Sequence, residues 1–189
     1  MTRRTIVKRR PGSASAAAVL ALVTTAVLAG AGPAAAYEVP TEIITIDQNV
    51  VISPIHTRMC LEVADWRTDD GAPVRQWPCT GGANQKWRIT EGAVVNVHSG
   101  KCLEIPGYST TPGTPVGQWA CNGGSNQRWR ITGLFYGLRT YREFVNVHSG
   151  LALDVAEVSF DPGAPAIQWP RSTVVNQFFF VWKDGSTPL

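Results

Sequence analysis

Cys60-Leu61-Glu62-Val63, Gln76-Trp77-Pro78-Cys79 and Asn84-Gln85-Lys86-Trp87 stand in that order in one stretch of the chain. The same order returns as Cys102-Leu103-Glu104-Ile105, Gln118-Trp119-Ala120-Cys121 and Asn126-Gln127-Arg128-Trp129. It returns again as Ala152-Leu153-Asp154-Val155, Gln168-Trp169-Pro170-Arg171 and Asn176-Gln177-Phe178-Phe179. The first and second blocks are 19 residues apart in every copy, from Cys60 to Cys79, Cys102 to Cys121 and Ala152 to Arg171. A fixed spacing kept three times marks a repeat architecture, and one copy cannot bury its own apolar face, so the copies must pack on each other.

Within a copy the pattern is that of strands. Gln85, Trp87 and Ile89 alternate with Lys86, Arg88 and Thr90, and Trp129 and Ile131 alternate with Arg128 and Arg130, the period of a half-buried strand. Short β-branched runs such as Val94-Val95-Asn96-Val97 and Phe144-Val145-Asn146-Val147 lie between turn signals at Asp70-Gly71, His98-Ser99-Gly100, Pro112-Gly113 and Pro162-Gly163. No segment keeps a helical period. About four strands per copy in three copies predict an all-β, closed assembly with pseudo-threefold symmetry, because closure removes exposed strand edges.

The repeats are not identical. From His56 to His98 is 42 residues and from His98 to His148 is 50, and the extra residues fall in Gly133 to Glu143, which reads as an extended hairpin or loop carrying Phe135, Tyr136 and Tyr141. Phe178 and Phe180 replace the charged residues of the other copies. Two outward rings need a cover, which either this insertion or the pre-repeat segment with Ile43, Ile44 and Ile46 is expected to provide.

The chain begins with Arg3, Arg4, Lys8, Arg9 and Arg10, an apolar run from Ala16 to Leu28, and Ala34-Ala35-Ala36, the pattern of a secretory signal peptide over residues 1–36. That run is too short to span a bilayer, and membrane insertion is not expected. The leader holds five of the 17 basic residues and none of the 14 acidic ones, so the formal charge without it is −2 rather than +3. The apparent basicity belongs to the leader, and no nucleic-acid partner is expected. Segment 37–49 precedes the repeats, which run over about 50–91, 92–141 and 142–184 within a domain of residues 50–189. All four cysteines lie beyond the leader. An even number in an exported, extracellular protein favours disulfides, and the third copy, lacking one cysteine at Ala152, also lacks the other at Arg171. The pairs are therefore Cys60 with Cys79 and Cys102 with Cys121, and the third copy is expected to hold by packing alone.

The two signatures Gln85-Lys86-Trp87 and Gln127-Arg128-Trp129, the altered Gln177-Phe178-Phe179 and the cysteine blocks resemble the ricin B-type lectin family over Val50 to Trp182. The resemblance implies a β-trefoil, a six-stranded barrel capped by three hairpins, and carbohydrate binding in up to three shallow pockets. Carried onto matching positions, the pockets comprise Glu62, Trp77 and Asn84; Glu104, Trp119 and Asn126; and Asp154, Trp169 and Asn176. A carboxylate accepts from neighbouring hydroxyls, an amide donates and accepts, and an indole covers the C–H face of a pyranose. Two carboxylates are Glu where the family pattern has Asp. A further contact position, two residues before the indole, holds Arg75, Gly117 and Ile167, so non-equivalent pockets are predicted. Trp66, Tyr108 and Val158 share another position, where an aromatic could form a second wall or staple a loop.

Trp87, Trp129 and Phe179 read as core, and Gln85, Gln127 and Gln177 as structural amides. His56, His98 and His148 occupy one repeat position and are expected on three separate turns, neither as a metal site nor as catalytic bases. Glu62, Glu104 and Asp154 recur singly, one per copy. Glycoside hydrolysis needs two unlike carboxyls facing each other about 5 to 10 Å apart, so no enzyme and no cofactor is expected. The reading is a secreted, monomeric, multivalent binder of glycans or polysaccharide. Its competitors are a scaffold or inhibitor acting through the Gly133–Glu143 loop and a degenerate lectin retained as a structural part of an extracellular complex.

Overall fold

A computed structural model of the chain describes residues 41–43, 45–136 and 139–183. The expected leader, 1–36, lies outside the described residues. Alternation is realised where the sequence places it: in Lys86–Thr90, Trp87 and Ile89 are buried while Arg88 and Thr90 face out. Fifteen strands result among the described residues. A short β1 (Thr41–Glu42) precedes the first lobe, made of β2 (Ile46–Pro54), β3 (Cys60–Val63), β4 (Val74–Trp77) and β5 (Lys86–Thr90). The second lobe has β6 (Ala93–Asn96), β7 (Cys102–Glu104), β8 (Gly117–Trp119) and β9 (Trp129–Thr132). A hairpin of β10 (Leu134–Tyr136) and β11 (Arg139–Tyr141) follows, then the third lobe of β12 (Phe144–Asn146), β13 (Ala152–Val155), β14 (Ala166–Trp169) and β15 (Phe179–Lys183). Four strands per lobe is the β-trefoil expected from the repeats.

The first and last strands of the repeats close on each other, β15 pairing antiparallel with β2 from Phe179↔Pro54 to Lys183↔Val50. Pre-repeat residues also enter the sheets, since β2 starts at Ile46 and β1 pairs with β9. Three hairpins, β3–β4, β7–β8 and β13–β14, meet at the cap. Backbone bridges Pro73↔Gly117, Pro115↔Ile167 and Arg75↔Pro165 link each hairpin to the next around the pseudo-threefold axis. The buried amides Gln76, Gln118 and Gln168 reinforce the ring. Gln76 Nε2 donates to the carbonyls of Ser159 and Asp161, Gln118 Nε2 to those of Arg67 and Asp69, and Gln168 Nε2 to those of Ser109 and Thr111. Each amide thus bonds two carbonyls of the preceding lobe and ties its hairpin to that lobe's turn.

One core unites the lobes, with Leu61, Leu103, Leu153, Ile89, Ile131, Trp87, Trp129, Phe144 and Phe179 all buried. Full burial of a side chain of the Leu or Ile kind contributes about 1.5–3 kcal/mol, so each lobe's copy of this small apolar set adds to the stability of the barrel. The indole N–H groups are satisfied as well, Trp87 donating to Leu61 O at 3.0 Å and Trp129 to Leu103 O at 3.1 Å. Phe179 has no such donor and instead meets Phe144 edge-on at 5.7 Å.

The insertion is a hairpin, with Leu134↔Tyr141, Phe135↔Thr140 and Tyr136↔Arg139 in register. The tip, 137–138, and the side chains of 134–140, including those of Phe135 and Tyr136, lie outside the described residues. Its last residue covers the third lobe as expected, because the Tyr141 ring lies 5.2 Å from that of Phe180 and the Arg58 guanidinium sits 4.3 Å over the same ring. Phe180 is buried and Phe178 half-buried.

Both expected disulfides are present, Cys60–Cys79 and Cys102–Cys121, each with Cα atoms 5.1 Å apart. The third lobe does not hold by packing alone. Arg171, in the place of the second cysteine, donates from Nε and Nη2 to the two oxygens of buried Glu143 at 3.0 and 2.9 Å. A bidentate, charge-assisted clasp to the start of the lobe stands where the other lobes have a covalent one.

Candidate carbohydrate site

Strand register builds each pocket. Cys60 faces Trp77 and Glu62 faces Arg75 across β3–β4; Cys102 faces Trp119 and Glu104 faces Gly117 across β7–β8; Ala152 faces Trp169 and Asp154 faces Ile167 across β13–β14. Alternation puts these four positions on one face of the hairpin, and the other face carries Leu61, Leu103 or Leu153 into the core. A carboxylate and an indole therefore share a surface in every lobe. The 3-10 turns Ala83–Gln85, Ser125–Gln127 and Val175–Gln177 then bring in the amides.

The lobes use these parts differently. In the third, Asn176 Nδ2 donates to Asp154 Oδ1 at 2.7 Å and Gln177 Nε2 to Asp154 Oδ2 at 2.9 Å. Burial pushes the Asp154 carboxyl up to about 6, against the opposing pull of those two bonds. Asp154 and Asn176 line an open cavity of about 560 Å³ with Trp169, Ile167, Val158, Val174, Ser172 and Gly113. Trp169 is 46% exposed.

In the second lobe Glu104 accepts from Gln127 Nε2 at 2.6 Å, while Asn126 donates to Ile105 O rather than to the carboxylate. Burial raises the Glu104 carboxyl above its ordinary value; the Gln127 bond opposes this and the charge of Asp70 adds to it. Trp119 is 41% exposed, and Gly117 leaves the strand beside it without a side chain. In the first lobe Asn84 and Gln85 again reach Glu62, at 3.3 and 3.0 Å, but Arg75 also donates to Glu62 at 3.0 Å and lies 4.4 Å over the Trp77 ring. The acid, amide and indole are thus brought together in all three lobes, with a direct acid–amide bond in the first and third. The asparagines are almost wholly buried and spend Nδ2 on the carbonyls of Val63, Ile105 and Val155. Their Oδ1 atoms have no hydrogen-bond partner within the protein.

Several site residues were not legible as such. Each of the three indoles rests on a glycine of the preceding lobe: Trp77 on Gly163, Trp119 on Gly71 and Trp169 on Gly113, where an added Cβ would stand 3.5 to 3.7 Å from the ring. The Pro-Gly and Asp-Gly turns read in the sequence were the signal, but not the ring above them. An aromatic ring occupies the shared position in two lobes and packs on a loop of its own lobe. Trp66 and Tyr108 lie over Gly82 and Gly124, where a Cβ would stand 2.6 Å from the Trp66 ring and 2.4 Å from the Tyr108 hydroxyl. The third lobe changes both members together, to Val158 and Val174. The histidines brace these walls rather than meet at the axis. His98 packs edge-on against Trp66 at 5.0 Å and His148 against Tyr108 at 5.1 Å, while His56, lacking a wall ring, packs on Phe160 at 5.3 Å. Among the described residues no group of His, Cys, Asp or Glu is placed to hold a metal ion, and no helix is long and apolar enough to cross a membrane.

With that geometry in place, comparison identifies the class. Residues 42–94 and 92–169 match the family described as ricin-type beta-trefoil lectin domain-like, and the chain belongs to that family. Among solved structures it is similar to ThreeFoil, a designed 3-fold symmetric protein, with 38% identity, a TM-score of 0.66, and coverage of 70% of this chain and 96% of that one. It is also similar to 1,3Gal43A, an exo-beta-1,3-galactanase from Clostridium thermocellum, with 28% identity and a TM-score of 0.67, over 73% of this chain and 30% of that one. The Macrolepiota procera ricin B-like lectin, solved in complex with lactose, shares the fold at 17% identity and a TM-score of 0.63, over 74% of this chain and 98% of that one. No curated protein sequence matches the chain.

Proposed function

We propose that this protein is an exported, non-catalytic, monomeric module that binds glycans or polysaccharide through the acid, amide and indole of its lobes. The observation that carries the reading is the third lobe. There an open cavity joins a buried, twice hydrogen-bonded carboxylate to a half-exposed indole, with apolar residues between them. That mixture suits a neutral polyol, whose hydroxyls donate to the acid while its C–H face lies on the ring. Lactose bound to the Macrolepiota procera lectin supports the same ligand class on this fold. The site residues are Glu62, Trp77, Asn84, Glu104, Trp119, Asn126, Asp154, Trp169 and Asn176, with Asn84 and Asn176 also fixing the acid and all three asparagines holding the hairpin.

Hydrolysis is disfavoured by the symmetry, which gives each lobe one carboxylate of the same kind instead of two unlike ones across a cleft. Export is supported by the leader pattern and by two disulfides. A single shallow pocket gives modest affinity, since each net hydrogen bond contributes about 1 kcal/mol. Presentation of more than one lobe to the same polymer raises avidity by about a hundredfold or more. A glycan and polysaccharide array probed with the wild type and with folded Trp77→Ala, Trp119→Ala and Trp169→Ala variants tests this. Trp169→Ala should lose the larger part of the signal, leaving what the second lobe contributes; full retention of wild-type signal in all three variants removes the assigned sites. A scaffold acting through β10–β11 would bind no glycan on the array.

A further inference from the structure

We propose that Arg75 is a built-in occupant of the first lobe, holding the place of a saccharide so that this pocket is closed in the free protein; the inference rests on the carbohydrate reading above. Register sets Arg75 directly across from Glu62 and two residues before Trp77, on the same face of the hairpin. Its Nε donates to Glu62 Oε1 at 3.0 Å and its Nη2 to Asp65 Oδ1 at 2.9 Å, while Cζ lies 4.4 Å from the centre of the Trp77 ring. The other carboxylate oxygen, Glu62 Oε2, already accepts from Asn84 and Gln85.

A guanidinium is flat, offers a fork of donors and stacks on aromatic faces. Those are the demands this surface makes of a pyranose: adjacent donors to the acid and a face against the indole. A neutral sugar entering the first lobe would have to replace a charge-assisted bond with a neutral one and displace a cation from a ring. The other lobes present no such competitor. Gly117 has no side chain and Ile167 has no donor, and Trp119 and Trp169 keep their exposure. Arg75 therefore sets how many lobes are open, and its replacement by the residue of either sister lobe should open the first.

The indole N–H resonances of Trp77, Trp119 and Trp169 report the lobes separately in a nitrogen–proton correlation spectrum of the full folded protein. The probes are galactose, lactose and N-acetylgalactosamine. In the wild type, Trp119 and Trp169 should shift on titration while Trp77 stays silent, and the Arg75 Nε–H should be slow to exchange and ring-shifted before any sugar is added. In Arg75→Gly and Arg75→Ile, each checked for an unchanged fold, Trp77 should also respond, with an affinity within about tenfold of the third lobe. A wild-type Trp77 that titrates with the affinity of the others, an Arg75 Nε–H that is averaged and fast, or a Trp77 still silent in both variants while its sister indoles respond, each overturns the proposal. Silence of every indole with every probe, in the wild type and both variants, overturns the carbohydrate reading and the proposal with it, whereas silence of Trp77 alone in the variants overturns only the proposal.

Discussion

The first and third lobes share a backbone plan and differ in nearly everything attached to it. The first has a disulfide at the base of its hairpin, an arginine lying on its indole and an aromatic wall, Trp66, over Gly82. The third has an ion pair in place of the disulfide, an isoleucine in place of the arginine and a valine pair in place of the wall. Three buried amides are common to both: the glutamine that ties the hairpin to the preceding lobe, and the glutamine and asparagine that hold the carboxylate. The trefoil is thus maintained by amides bonded to backbone and acid, and the pocket's character is set separately by the residues that face out.

The contrast can be broken at its covalent end first. Cys60→Ala with Cys79→Ala should lower unfolding stability by about 3 kcal/mol, the chain-entropy value for a loop of this size. Denaturant melts read it, and a loss no larger than that of Glu143→Gln would mean that the bond adds little to a hairpin already tied by Gln76.

Next in size is Asp154→Asn, which should weaken saccharide binding in the third lobe by about 30-fold, or about 2 kcal/mol, by removing a charged acceptor. The same residue gives the binding a pH dependence. The carboxylate is ionised above about 6 and protonated below it, so affinity should fall as pH drops, by at most about tenfold per unit. Folding runs the other way. A carboxyl raised from 3.8 to about 6 binds its proton more tightly in the native state, so its contribution to stability is complete below 3.8 and is lost as pH rises through about 6. Asp154→Asn should flatten both profiles in calorimetric titration and thermal melts. A binding profile left unchanged by the substitution would mean that Asp154 does not set the dependence.

A smaller effect is expected at the ion pair. Glu143→Gln keeps one hydrogen bond to Arg171 but removes the charge, and a cost of about 1 kcal/mol should appear in melts at low and high salt alike, because Glu143 is buried while Arg171 is partly exposed. Smallest of all should be the attempt to make the third lobe like the first. Ala152→Cys with Arg171→Cys installs a loop closure and also leaves Glu143 buried without its cation, so the net change should lie within about 1 kcal/mol of zero. A gain near 3 kcal/mol would show that Glu143 does not need Arg171.

Much of this was legible in particular residues. Alternation at Trp87 and Trp129 placed the barrel strands, the joint loss of cysteines at Ala152 and Arg171 gave the disulfide pairing, and the family resemblance pointed to the acid, indole and amide of each lobe. Other features were hidden because they join residues from different lobes. Gln76 reaches Ser159, Trp77 rests on Gly163 and His98 braces Trp66, contacts for which sequence spacing carries no signal. Arg75 and Arg171 show the same limit. Arg75 was read at a contact position beside the indole and Arg171 in the place of a missing cysteine, and only their partners, Glu62 and Glu143, turn one into a pocket occupant and the other into a clasp.

The repeated order of apolar and polar residues determined by itself that this chain is a three-lobed β structure, because periodic burial is a local property and each copy needs the others to complete a core. The tertiary structure alone decided which lobes stand open. Openness depends on what crosses from the facing strand and the neighbouring lobe, and those distances are set only when the ring of hairpins has closed.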